Sequence, residues 1–323
     1  MADDPAARLR AMQRRPWGHL VRRLGHPVLA LAGRIRTRLE SRRLAALLLV
    51  LGRRGGARRQ ALGRAFIAQE VLGEPVAFTD RFGVQVLLYP SDDLVDRYTN
   101  EGYNERFEQD FCASFLKPGM TAFDVGANYG LYALLFARLA GPEGVHAFEA
   151  EAWNFQRLTT NLALNGQAAV RAECCAVAAT SGTAELTVYP REQFGWHTLG
   201  RPELEVDGKP YPPSEVRTVP AVSIDDYCAT HGVEAIDLLK VDVEGAEIDV
   251  LRGASRMLSE GRVRCVLFEV SEVMLEGMGV SGADVFSLLR RHGYALHAFG
   301  ADGALVPAGD GPTGHYANFV ALR

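Results

Sequence analysis

Apolar residues recur along the second half of the chain with the spacings of strands and helices. Short apolar runs predict five buried strands, at residues 121–125, 145–148, 170–176, 238–243 and 265–270. Apolar residues three and four positions apart predict helices between them, as at Phe155, Leu158 and Leu162 before the stop signal Asn165-Gly166. Two further runs, 294–299 and 316–322, predict an antiparallel pair that closes the sheet. This alternation predicts an α/β fold with a mostly parallel sheet.

The region ahead of this core has a different texture. Residues 1–64 mix arginine clusters with short apolar runs, which predicts one or two cationic amphipathic helices, and residues 76–89 predict a β-hairpin. We therefore predict three parts: a basic helical arm at 1–64, a lead-in of hairpin and helix at 65–118, and a catalytic domain at 119–323. Residues 189–220 are rich in proline, glycine and aromatic residues, and we interpret them as an insertion over the ligand-binding edge of the sheet.

Charge divides the chain in the same way. With 48% hydrophobic and 23% charged residues among 323, the composition is that of a globular enzyme. Residues 1–64 hold 16 arginines against three acidic residues, a balance of about +13 that leaves about −17 for the rest. An acidic body argues against nucleic-acid binding, which needs clustered basic residues. Two hypotheses remain for the arm: reversible attachment to an anionic membrane surface, or packing on the acidic body of another subunit in an oligomer.

Membrane and redox signals are weak. The longest apolar run, residues 44–51, is too short to span a bilayer, and the start lacks the pattern of a secretory signal. Five cysteines show no CxxC pair and no metal-ligand spacing, which favours reduced and mostly buried thiols. We expect a cytoplasmic protein, with peripheral attachment at the inner membrane surface as an option for the arm.

The first candidate site is FDVGANYG, residues 123–130, a strand that runs into a glycine turn and a helix. Gly126 and Gly130 let the backbone approach a ligand, although such a turn also occurs as a plain tight connection. Asp124 lies where a dinucleotide would place its pyrophosphate, so the carboxylate favours the ammonium group of S-adenosylmethionine over NAD. A nicotinamide dehydrogenase is disfavoured as well because the turn lacks G-x-G-x-x-G spacing.

The next strand ends bear on the same cofactor. Glu149 ends the second strand, where an acidic residue accepts both hydroxyls of a ribose; a solvated glutamate is the alternative. Ala176 and Val177 end the third strand and would offer backbone groups to an adenine, or belong to the core. Asp242, in KVDVEGAE at residues 240–247, and Glu269 place further carboxylates at the same edge, where the alternative is an acid bonded to backbone amides.

These motifs, in this order and at this separation, resemble the FkbM-type methyltransferases over about residues 100–323. The resemblance implies a Rossmann-like class I methyltransferase fold with a seven-stranded sheet, S-adenosylmethionine as cofactor, and O-methylation of a natural product, sugar or lipid-linked glycan. It implies cofactor contacts for Glu105, upstream of the Lys117-Pro118-Gly119 turn, and for Ala127, Asn128 and Ala150 of the matched motifs. Two departures are Ala150, where the family usually has proline, and His197, where serines are common.

The sequence offers more than one group that could remove the proton of the methyl acceptor. An alcohol needs help to lose its proton, from His197 of the insertion or from Asp242 as base, or from a divalent metal held by Asp242 and Glu269. That pair is one carboxylate short of a good magnesium site unless Glu244 turns inward, which we do not expect of a residue that opens a helix. The sequence therefore favours a base without an obligatory metal. Other functions that remain open are an N-directed or protein-directed methyltransferase and an inactive methyltransferase-like scaffold.

Overall fold

The computed structural model describes residues 74–89, 92, 105–206, 208–309, 311 and 316–323. The chain divides into two compact units, residues 1–104 and 105–323. The predicted arm at residues 1–64 lies outside the described residues, so the proposed three-part division of the chain stays a prediction. In the described part of the chain, no helix is long and apolar enough to cross a membrane.

The described part of the first unit contains the predicted hairpin. Strands β1 (Val76–Thr79) and β2 (Gln85–Leu88) pair antiparallel, with Val76 opposite Leu88. Asp80 shapes the turn between them, because its Oδ1 accepts hydrogen bonds from the amides of Phe82 and Val84 at 2.8 and 2.9 Å.

The second unit is built on one large sheet. Its strands are β3 (Ala122–Val125), β4 (Val145–Phe148), β5 (Arg171–Glu173), β11 (Ile236–Val241), β12 (Val263–Ser271), β13 (Ala295–Phe299), β14 (Leu305–Pro307) and β15 (Tyr316–Leu322). They lie in the order β14-β13-β15-β12-β11-β3-β4-β5, parallel from β12 to β5 and antiparallel beyond β12. The predicted mostly parallel α/β architecture is confirmed. The sheet has eight strands among the described residues instead of seven, because the three-residue edge strand β14 is too short to give a periodic signal.

Helices follow most of the parallel strands. They are α1 (Arg106–Phe115), α2 (Leu131–Ala140), α3 (Ala152–Leu164), α4 (Ile224–His231), α5 (Glu247–Gly253), α6 (Ser255–Ser259), α7 (Glu272–Glu276) and α8 (Gly282–Arg291). Helix α3 ends at the predicted stop, with Asn165 as its C-cap. The buried rings of Phe268, Phe286 and Phe319 meet at 4.9 to 6.0 Å between their centres, so that sheet and helix share one core on that side.

A second, smaller sheet lies beside the first. Strands β6 (Ala176–Val177) and β7 (Gly182–Val188) flank β10 (Glu215–Val222) in the order β6-β10-β7, and β8 (Glu205–Val206) pairs with β9 (Lys209–Pro210). Our single strand at 170–176 is therefore wrong: β5 ends at Glu173, and Ala176 belongs to the smaller sheet, opposite Ala221. The predicted insertion at 189–220 begins just after β7 and runs into β10.

Candidate active site

Four parallel strands carry an acidic residue at or next to their carboxyl ends, on one edge of the large sheet. Asp124 is in β3, Glu149 follows β4, Asp242 follows β11, and Glu269 is in β12. The chain moves outward from β3 to β4 and β5, then returns to the other side of β3 at β11. This change of direction lies between β3 and β11. The space outside the carboxyl ends of these two strands, called the crevice below, is where open α/β sheets bind ligands.

Asp124 is the most deeply placed of these acids. It is fully buried, and neither carboxylate oxygen accepts a hydrogen bond of normal geometry from the described residues. Burial raises the pKa of Asp124 to about 6, although the charge of Lys240 and the backbone amide of Ala133 act against that shift. The nearest cation is Lys240, whose Nζ lies 3.7 Å from Oδ1. A buried carboxylate with vacant acceptor positions is suited to a cationic ligand group.

The turn after β3 is held by a close approach of two backbones. A Cβ on Gly126, which has a φ of 80°, would lie 1.7 Å from the carbonyl oxygen of Asp242. The amides of Gly126 and Ala127 both donate to the carbonyl of Phe148, at 3.0 and 2.9 Å. Asn128 is left-handed at a φ of 51°. Gly126 therefore lets the turn after β3 approach the end of β11 closely, and its contact with a cofactor stays a prediction.

Gly130 has a related role at the start of α2. Its φ is 95°, and a Cβ there would lie 2.7 Å from the Cδ1 of Leu158 in α3. A side chain at this position would therefore push α3 away from the turn.

Glu149 is bonded to the same turn. Its Oε2 accepts the amide of Asn128 at 2.8 Å and its Oε1 accepts the amide of Glu151 at 2.8 Å. Burial raises the pKa of Glu149 to about 7, although these two bonds act against it. Each oxygen keeps a second lone pair that can accept a hydroxyl group. Ala150, beside it, is half-buried against the small apolar cluster that contains Ala176.

Lys240 was missed as a site residue by sequence reasoning. Its Nζ lies 2.9 Å from Oδ2 of Asp242 and 4.6 Å from the ring centre of Tyr132. Burial opposes its charge, but Asp242 and Asp124 outweigh burial and raise the pKa of Lys240. The sequence signal that would have identified it is a lysine between Leu239 and Val241 in a strand predicted to be buried. In the structure this lysine pairs in register with Asp124.

Glu105 also belongs to this group of charged residues, and the cofactor contact that the resemblance implies for it stays a prediction. It lies next to the start of α1, its carboxylate hydrogen-bonds with the hydroxyl of Tyr132, and it interacts electrostatically with Lys240 and Asp124.

Asp242, Glu244 and Glu269 converge beside Lys240. One carboxylate oxygen from each lies within 4.8 Å of the others. Our expectation that Glu244 opens a helix is wrong: α5 begins at Glu247, and Glu244 has a left-handed backbone with a φ of 53°. Burial raises the pKa of Glu244 and of Glu269 well above the usual value, and the Asp242 charge adds to both shifts.

His197 lies in the inserted segment, near Glu151 and Arg217. Its Nδ1 accepts the amide of Tyr189 at 3.1 Å, which places the proton of a neutral ring on Nε2. Burial lowers the pKa of His197, and the charged groups that act on it are Glu151 and Arg217. The structure thus brings Asp242, Glu269, Asp124 and Glu105 together, whereas His197 is a neighbour of the Glu149 end.

Arg157 of α3 anchors the inserted segment, which sequence reasoning did not foresee. This buried guanidinium lies 4.7 to 4.8 Å from the ring centres of Tyr129, Trp153 and Phe194. Asn154 adds a hydrogen bond from its Nδ2 to the carbonyl of Phe194 at 2.8 Å. The insertion is therefore fixed to the turn that follows β3.

Comparison with known proteins gives the family of the chain. The model of the methyltransferase FkbM domain matches residues 124–296, which begin at Asp124 and include β11 and β12. The chain belongs to the FkbM methyltransferase family. Its resemblance to that family, predicted from the motifs, is confirmed.

Individual relatives add detail to the family assignment. The chain is 36% identical over 205 residues to the 31-O-demethyl-FK506 methyltransferase FkbM of Streptomyces tacrolimicus, covering 57% of this chain and 75% of that protein. A shorter match, 46% identical over 39 residues, is to the 2-O-methyltransferase NoeI of Sinorhizobium fredii and covers 12% and 16% of the two chains. The solved structure of the methyltransferase FkbM from Methylobacillus flagellatus matches with a TM-score of 0.41 and 14% identity, over 87% of this chain and 59% of that one.

Proposed function

We propose that this methyltransferase transfers the methyl group of S-adenosylmethionine to a hydroxyl oxygen on a small-molecule natural product, a sugar or a lipid-linked glycan. The observation that carries the proposal is the pair of buried acids at adjacent strand ends. The carboxylate oxygens of Asp124 accept no hydrogen bond of normal geometry from the described residues, and Glu149 is oriented by two backbone amides.

The cofactor would lie along the crevice with its amino-acid end at Asp124 and its ribose at Glu149. A buried carboxylate favours the ammonium group strongly, because few water molecules screen it. The amides of Asn128 and Glu151 hold the carboxylate of Glu149, which leaves it ready to accept two ribose hydroxyls. Ala176 and Val177, both buried, would lie beside the adenine.

Methyl transfer is an in-line displacement at the sulfonium carbon. The acceptor oxygen forms a bond to that carbon while the carbon–sulfur bond breaks. The electron pair of the broken bond stays on sulfur, and S-adenosylhomocysteine is released. The acceptor must also lose its proton. Without a bound metal ion, we assign this proton to Asp242, which follows β11 and is 26% exposed. His197 is the second candidate, but its Nδ1 already accepts the amide of Tyr189.

Transfer to oxygen is supported by the names of two relatives, FkbM of Streptomyces tacrolimicus and NoeI, which both specify O-methyl groups. The atom that carries the transferred methyl group in the product distinguishes a hydroxyl acceptor from an amine acceptor. Purified protein is incubated with methyl-¹³C-labelled S-adenosylmethionine and a panel of sugars, polyketide alcohols and amines. A methoxy carbon signal in the product supports the proposal, and an N-methyl signal overturns the oxygen assignment. S-adenosylhomocysteine binding without transfer to any panel member would indicate an inactive scaffold instead.

A further inference from the structure

Three carboxylates form a compact group beside the crevice. Asp242 follows β11, Glu269 is in β12, and Glu244 turns back between them through its left-handed backbone. One oxygen from each lies within 4.8 Å of the other two. Three oxygens at such separations are close enough to bind one ion with small movements of the side chains.

Glu269 is the member that points to a ligand. Its side chain is only 4% exposed, and its Oε1 accepts no hydrogen bond from the described residues. The hydroxyl of Tyr316 is the hydrogen-bond partner of this carboxyl group. Because a buried oxygen without a partner is costly, a cation at this position would satisfy it.

The charges around the group are unbalanced. Among the described residues, four acids interact with the ammonium group of Lys240: Glu105, Asp124, Asp242 and Glu244. Glu269 interacts with two of the same acids, Asp242 and Glu244. S-adenosylmethionine carries a single net positive charge, and the proposed pose directs its ammonium group to Asp124. In this pose the cofactor places no positive group on the three carboxylates.

We infer that Asp242, Glu244 and Glu269 bind a divalent cation of the oxygen-preferring class, such as Mg²⁺ or Mn²⁺, with water completing its shell. Its role in the reaction rests on the proposed function. The cation would hold the acceptor's hydroxyl oxygen and lower the pKa of that hydroxyl, whose proton then leaves to solvent water. Asp242 would in that case be a ligand of the cation, and the proton would not pass to it.

Manganese titration of the full chain tests the site without any acceptor. Free Mn²⁺ gives an electron paramagnetic resonance signal that disappears on binding, so the signal reports the stoichiometry and the Kd directly. We compare the wild type with Glu244→Gln and Glu269→Gln, with and without S-adenosylhomocysteine. Glu185→Gln is the matched control, because Glu185 is an exposed residue of β7 paired with Arg201.

We expect one Mn²⁺ per wild-type chain, a Kd raised about tenfold or more by each site variant, and no change for the control. Absence of binding to the wild type, or equal binding to the wild type and both site variants, would overturn the inference. If Glu269→Gln does not fold, Glu244→Gln decides, because Glu244 is only half-buried. S-adenosylhomocysteine binding is measured separately on the same samples, so a failure of the cofactor proposal is distinguished from a failure of the cation site.

Discussion

Replacing Glu149 by alanine tests the ribose contact. The carboxylate would accept two ribose hydroxyls, and hydrogen bonds to a charged group contribute about 1.5–3 kcal/mol. We expect Glu149→Ala to lose about that much binding free energy, which raises the Kd for S-adenosylhomocysteine about 10- to 150-fold. Because burial raises the pKa of Glu149 to about 7, the calorimetric titration is run near pH 8, where the group is ionised.

A second effect of this substitution must be separated from the first. The amides of Asn128 and Glu151 lose their acceptor in Glu149→Ala, so the turn itself can shift. An analogue of S-adenosylhomocysteine that lacks the ribose hydroxyls isolates the direct contact: wild type and variant should bind it with similar Kd values. Glu185→Ala is the control for the substitution itself. Equal affinity of wild type and Glu149→Ala for the complete ligand would refute the reasoning.

Three further predictions concern pH, proton removal and the arm. Folding favours the protonated form of Glu149, because its pKa rises from 4.5 to about 7 in the folded protein. As the pH rises through that interval, the free energy of unfolding of the ligand-free wild type should therefore fall by about 3 kcal/mol relative to that of Glu149→Gln. Thermal unfolding of both proteins measures this difference, and a relative rise for the wild type would contradict the prediction. Asp242→Asn should lower kcat about 10²-fold with little change in cofactor affinity, whereas His197→Ala should change kcat less than about tenfold, in assays with the acceptor that the labelling panel identifies. Deleting residues 1–64, with their balance of about +13, should abolish sedimentation with anionic liposomes at low salt; unchanged sedimentation would favour the subunit-packing hypothesis.

The large sheet was predictable because its central parallel strands, β3, β4, β11 and β12, are mostly buried on both faces and consist mainly of apolar residues. Strand β4 has the predicted bounds, and the last two long strands pair antiparallel as expected. The division of residues 170–176 between two sheets was not predictable, because an apolar run gives no sign of which neighbour it pairs with.

The site shows a similar division. Acids at strand ends could be predicted to meet, because parallel strands end at the same edge of a sheet. The inward position of Glu244 depends on a left-handed backbone that residues other than glycine rarely adopt, so its sequence position suggested a helix start. The stacking of Arg157 on three rings joins segments far apart in the chain, and no local pattern records such a contact.

A crystal structure of the chain with S-adenosylhomocysteine tests the central claim most directly. We predict the ligand's ammonium group within hydrogen-bonding distance of Asp124, its ribose hydroxyls on Glu149, and its sulfur facing the acceptor side of the crevice at Asp242. Binding of the ligand elsewhere on the protein, or a ligand in this crevice that contacts neither Asp124 nor Glu149, would contradict the account.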